Sequence, residues 1–184
     1  MLAEGVLSTK TLLARYLVGF DDTNHTRMGP HLPNHVAWTL GHLALTMYRV
    51  VEKIDGKVAP PGDFLPTGAM SHHYRAGAEK VSPYSVVPLD AYDPEAVAFG
   101  SKPVDDPRLY PSFTRCGQIY NGACDRLAAA VRATDAAPLD RMVKWGGVEL
   151  PLWMLVMRMV FHNGTHTGQL ADLRRSLGFK SIYA

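Results

Sequence analysis

The sequence predicts an all-α protein, a four-helix bundle with one long crossover loop between helices 2 and 3 and a small hairpin before helix 4. Three observations predict it. Four segments place apolar residues at alternating spacings of three and four, and the stretch between the second and third is richer in Pro and Gly than the rest. Before the last segment, Trp145-Gly146-Gly147-Val148 sets a turn dipeptide between residues that favour strands.

The first helix is expected from Ser8 or Thr9, either of which can cap it, to about His25, with Leu13, Leu17 and Phe20 on one stripe. Gly29-Pro30 then stops it. Asn34 can cap the second helix, which runs to about Ile54 with Val36, Leu40, Leu43, Met47, Val50 and Ile54 on one face, and Gly56 closes it. From Gly56 to Asp106 the prolines 60, 61, 66, 83, 88, 94 and 103 recur too often for long elements, although Asp93-Pro94-Glu95 can open one short helix. So long a connection is more often functional than idle, and it is placed to roof a pocket. The third helix begins between Pro107 and Pro111 and carries Phe113, Cys116, Tyr120, Ala123, Leu127 and Val131 inward to about Ala133, with Pro138 beyond its end. The hairpin over Val143 to Leu150 leads to Pro151, suited to the first position of the last helix. That helix aligns Leu152, Leu155, Met159, His162, His166, Gln169, Leu173 and Leu177, and Gly178 can end it.

Composition narrows the function. The chain has 184 residues, 47% hydrophobic and 20% charged, the profile of a single domain over residues 1–184. A globule of this size buries about 70% of the surface its unfolded chain exposes, so its core needs no metal or disulfide staple. A net charge of +2 leaves no basic excess for a phosphate backbone, which argues against nucleic acid. The most apolar stretch, Leu150 to Met157, is far too short for a membrane span, and Met1 to Lys10 has no signal-like run, so a cytoplasmic location is expected. Cys116 and Cys124 lie eight positions apart on one helix, roughly 12 Å along its axis, too far for a disulfide. They read as buried, reduced thiols.

The chemistry lies in the histidines. His162 and His166 stand one helical turn apart, a spacing that lets both bind one ion, and they sit in the core register of the last helix. Buried neutral imidazoles facing a Leu/Met core need hydrogen bonds, a metal or water in a cleft. The other such pair, His31 and His35, spans Pro33 in a loop. On the second helix His35, Thr39, His42 and Thr46 form a polar row, readable either as a solvated face or, with Trp38 and Leu45 beside His42, as a pocket wall. His72 and His73 lie in the crossover, where exposure is the default. Gly164 and Gly168 cost the last helix about 1 kcal/mol each relative to Ala, which close approach by another helix or a substrate would explain. Met154, Met157 and Met159 read as core or subunit-contact filler.

The run Asn34-His35-Val36-Ala37-Trp38-Thr39-Leu40-Gly41-His42-Leu43-Ala44, then Trp145-Gly146-Gly147, then His162-Asn163-Gly164-Thr165-His166-Thr167-Gly168-Gln169-Leu170 with Arg174-Arg175-Ser176-Leu177-Gly178, resembles the DinB-like superfamily over nearly the whole chain. Phe99-Gly100-Ser101 and Tyr110-Pro111-Ser112 also resemble the segment before the third helix in one branch of that group. The resemblance implies a bundle holding one divalent ion through His42, His162 and His166. Three imidazoles leave a coordination position open, as catalytic sites do, and all-nitrogen ligation suits zinc or nickel, with iron or copper compatible and calcium or magnesium disfavoured. Around these, Trp38 is expected as a pocket residue and Gln169 to hold an imidazole N–H or orient water. Asn163 stands where the zinc-protease pattern His-Glu-x-x-His needs its general base, so a protease is excluded.

By analogy with that superfamily, the expected function is a metal-dependent enzyme that activates a low-molecular-weight thiol or water, thiol S-transferase-like or hydrolase-like, acting on a small-molecule substrate. The alternative is a non-catalytic metal-binding or stress-related interaction protein. A homodimer is expected in either case.

Overall fold

The computed structural model describes residues 1–66 and 90–183. Its long helices are α1 (Leu2–Tyr16), α2 (Val36–Asp55), α3 (Phe113–Arg132) and, after the short α4 (Ala136–Leu139), α5 (Leu152–Ser176). A 3-10 turn covers Pro107–Leu109, and the strands β1 (Met142–Trp145) and β2 (Val148–Pro151) precede α5. Both α1 and α2 pack against α3 and α5, so the four long helices close around a core that includes Leu13, Leu40, Leu43, Met47, Ile119, Leu127 and Leu155. Among the described residues, no helix is long and apolar enough to cross a membrane. The expectations for His72, His73, Pro83 and Pro88 lie outside the described residues.

The first helix corrects the expected boundaries at both ends. It starts at Leu2 because Ala3 and Val6 already belong to the buried stripe with Thr9 and Leu13. Ser8 and Thr9 are interior, their hydroxyls donating back to the Gly5 and Val6 carbonyls at 2.8 and 2.7 Å instead of capping. The helix ends at Tyr16, and Gly19 at φ +92° turns the chain. Beyond it the Asp21 carboxylate accepts from the Thr23 backbone N–H at 2.8 Å, a local turn that competes with further helix. Phe20 is therefore buried outside the helix, against Phe179.

The cap of α2 shifts from Asn34 to His35, whose Nδ1 accepts from the Trp38 N–H at 3.1 Å, while Asn34 donates to Gln169 Oε1. Gly56 takes the expected left-handed conformation, φ +75°. The described crossover is anchored rather than free. Leu65 N–H donates to the Tyr92 carbonyl and Tyr92 N–H to that of Asp63, so the two arms meet. Arg115 clamps both, donating to the Asp90 and Gly62 carbonyls and to the Asp63 carboxylate, which also accepts from the Tyr48 hydroxyl at 2.6 Å. The short helix expected at Asp93-Pro94-Glu95 is a turn, because the Asp93 carboxylate takes the Glu95 N–H for itself.

The third helix starts at Phe113, capped by Ser112 and beyond both prolines: Pro107 opens the 3-10 turn and Pro111 lies outside any helix. In the hairpin Trp145 pairs with Val148, and Gly146 and Gly147 both have positive φ, as a primed two-residue turn requires. Pro151 ends β2 one place before the helix rather than opening it. At the far end of α5, Gly178 adopts φ +78° and the Phe179 N–H reaches the Arg174 carbonyl, closing the helix.

Candidate metal centre

The second and last helices run antiparallel, which the contacts fix directly. Asn34 bonds Gln169, Trp38 lies near His166, and His42 meets His162. This register brings the i, i+4 pair of α5 against the single histidine of α2. His162 Nε2 lies 3.2 Å from His42 Nε2 and 3.1 Å from His166 Nε2. The three rings thus offer one nitrogen each to a common point.

The polar row of α2 is a buried wall and not a solvated face: His35, Thr39 and His42 are all buried. The sequence left that choice open because α3 and α5 cover only part of α2. The crossover covers the rest, laying the Tyr92 ring on Gly41, where an added Cβ would come within 2.5 Å of it. It also brings the Val97 carbonyl within 2.8 Å of His42 Nδ1. A carbonyl can only accept, so His42 Nδ1 carries the proton and its Nε2 presents a lone pair to the centre. Trp38 stacks on the His42 ring at 4.5 Å and 9°, and donates from Nε1 to Ser101 Oγ. The ring is held from one face and one edge.

Burial dominates the electrostatics. It pushes His162 down to about 3 and His166 down to about 4, with the neighbouring imidazoles adding to the effect. His42 is lowered by burial as well, against the opposing pull of the Val97 carbonyl. All three are neutral at pH 7, the form that binds a metal. Gln169 pulls weakly the other way on His166 but completes no hydrogen bond to its Nδ1, and its Oε1 is taken by Asn34. The Nδ1 atoms of His162 and His166 are buried without a partner.

The donor set fits a transition-metal cation. With His42 Nε2 an acceptor only, a single proton on His162 Nε2 cannot satisfy both of its short contacts. A cation accepting all three lone pairs would. Metal–nitrogen bonds of about 2.0–2.1 Å at tetrahedral angles separate ligand nitrogens by about 3.3 Å, close to the distances here.

A cleft of about 840 Å³ opens beside the centre, lined by His42 and His162 and by Leu45, Thr46, Arg49, Phe99, Trp145, Val148, Arg158, Met159, Phe161 and Thr165. Trp145, at the end of β1, thus forms part of its wall. Asn163 points the other way, donating to Thr9 on α1 at 2.8 Å, so it takes no part in the cleft. Both cysteines are free and buried, and burial raises each thiol to about 12, which removes them as nucleophiles. Gly164 and Gly168 meet nothing within 4 Å among the described residues, so no close approach by them explains these glycines. Sequence reasoning missed Arg49, Arg158 and Phe161 as cleft residues, although Arg49 is seven places after His42 and Arg158 four before His162, both helical neighbours. The Val97 carbonyl has no side-chain signal at all.

Fold and site together define a mostly helical protein, with one two-stranded hairpin and a cluster of three histidines that could hold a metal ion, next to a cleft. A sequence model of the DinB superfamily matches residues 7–170, and the chain belongs to that superfamily. In shape it is similar to a crystal structure described as a conserved protein of locus from Enterococcus faecalis, with TM-score 0.64 and 11% identity over 95% of this chain and 94% of that one. No curated protein matches the chain.

Proposed function

We propose that the protein is a metal-dependent enzyme that activates a low-molecular-weight thiol or water, as a thiol S-transferase or a hydrolase. One observation carries this reading, the convergence of three neutral imidazole nitrogens beside an open cleft of substrate size. His42, His162 and His166 would hold the ion, zinc or nickel by preference, with iron also compatible. A divalent cation held there would lower the pKa of a thiol or water it binds and so supply a nucleophile at neutral pH. The chain's own residues do the positioning. Val97 fixes the His42 tautomer, Trp38 holds its ring plane, and Trp145 and Phe161 give the cleft aromatic walls. No carboxylate lines the cleft among the described residues.

The test is metal content beside turnover. Native protein should carry one transition metal per chain, and His42→Ala, His162→Ala or His166→Ala should lower affinity at least tenfold with the helical circular dichroism unchanged. Turnover in a screen of thiols against electrophiles, and of hydrolysable substrates, should disappear with the metal. Full occupancy in His42→Ala would remove that residue from the ligand set.

A second reading, a non-catalytic interaction protein working as a homodimer, draws on the exposed apolar row of Trp153, Met157 and Phe161 along α5. It predicts a dimer in sedimentation that Phe161→Glu dissociates, and no turnover with any metal.

A further inference from the structure

The cleft has a charge asymmetry. It runs from His42 and His162 toward the C-terminal end of α2 and the N-terminal end of α5, which coincide because the helices are antiparallel. At that end stand Arg49, two turns beyond His42, and Arg158, one turn before His162. Along the helix axes these offsets are about 10 and 6 Å. No Asp or Glu among the described residues lines the cleft with them. Other arginines of the molecule have partners: Arg108 pairs with Asp106, Arg115 with Asp63 and Arg132 with Glu4. Arg49 and Arg158 form no ion pair or hydrogen bond with a described residue. Glu52, one turn past Arg49, lies instead on a neighbouring cleft of about 460 Å³ that Arg49 also borders.

An apolar, aromatic-walled cleft with two guanidiniums that no described acidic residue neutralises at one end, and neutral donors at the other, is a receptor for an amphipathic anion. Both arginines are exposed, and a guanidinium matches a carboxylate or sulfonate with paired donors. Neutral ligands add to this, because they would leave the full positive charge of a bound cation unbalanced. We propose that the substrate carries an oxyanion group, a carboxylate or sulfonate, which Arg49 and Arg158 hold while its reacting end lies at the three imidazoles. The placement of the reacting end rests on the metal-centre reading above. The anion site itself does not.

The experiment therefore has two arms. In the first, chelator-treated protein is titrated with 8-anilinonaphthalene-1-sulfonate and with N-phenyl-1-naphthylamine, the same dye without its sulfonate. Arg49→Gln/Arg158→Gln should weaken the sulfonate at least tenfold and leave the neutral dye within twofold, and Arg49→Lys/Arg158→Lys should keep most of the sulfonate affinity. Equal sulfonate binding in wild type and the Gln variant overturns the proposal, as does equal loss of both dyes.

In the second arm, cobalt(II)-loaded protein is titrated with 6-mercaptohexanoate and 6-mercapto-1-hexanol, and binding is read from the visible spectrum of the cobalt. The acid should bind at least tenfold tighter, and that preference should vanish in the Gln variant. Equal binding of acid and alcohol overturns the proposal while leaving the metal reading standing. Failure to take up cobalt overturns the metal reading, and the dye arm then decides the anion site alone.

Discussion

Glycines along this chain do opposite things according to what their missing Cβ would meet. Gly41 lets the Tyr92 ring lie directly on α2, and a Cβ there would fall 2.5 Å from the ring. That ring is fully buried and its hydroxyl donates to the Ala37 carbonyl at 2.8 Å, so it cannot swing aside. Gly41→Ala should cost about 1–3 kcal/mol by overpacking, and should loosen the crossover that fixes His42. Gly164 and Gly168, in the interior of α5, face no described residue within 4 Å. Gly164→Ala and Gly168→Ala should each stabilise by up to about 1 kcal/mol through helix propensity. Thermal denaturation of the three variants checks both signs at once. If Gly168→Ala instead destabilises or alters association, that face is covered in solution.

The start of α2 depends on a histidine staying neutral. His35 Nδ1 must keep its lone pair to accept from Trp38, while Nε2 donates to the Val104 carbonyl at 3.1 Å. Burial holds its pKa down to about 4, against 6.5 for an ordinary histidine. Between these values the unfolded chain binds more protons than the folded one. Stability from this group is therefore complete above about pH 6.5 and falls by roughly 3 kcal/mol as the pH drops toward 4. Urea denaturation at a series of pH values should show that slope, with His162 and His166 adding to it in the same sense in metal-free protein. His35→Asn retains a capping acceptor and should flatten part of the slope.

At the scale of the whole molecule the core is apolar and self-sufficient, so removal of metal should leave the helices intact. Chelation should preserve far-ultraviolet circular dichroism and lower the melting temperature only by linkage, about 2.7 kcal/mol between no metal and metal at a hundredfold its dissociation constant. Loss of helix on chelation would instead mark the ion as structural.

The long helices were legible because their signal is local. Apolar residues on α2, α3 and α5 repeat at helical spacing, and glycines at 56, 146, 147 and 178 stand where positive φ is needed. The limits of α1 were less legible, since Ser8 and Thr9 suit a cap and an interior back-bond equally well, and only packing of Ala3 and Val6 decides between them. Within the candidate site, adjacency of His162 and His166 follows from one turn of helix. What joins His42 to them is the antiparallel docking of two helices more than a hundred residues apart in sequence.

The amino-acid order alone determined four amphipathic rods, a hairpin and a histidine pair one turn apart, because these rest on backbone periodicity within a few residues. Tertiary structure decided that the polar row of α2 is buried, that a backbone carbonyl of the crossover sets the His42 tautomer, and that Arg49 and Arg158 share a cleft with the imidazoles. Those are relations between segments far apart in the chain, and only their packing against one another brings such groups together.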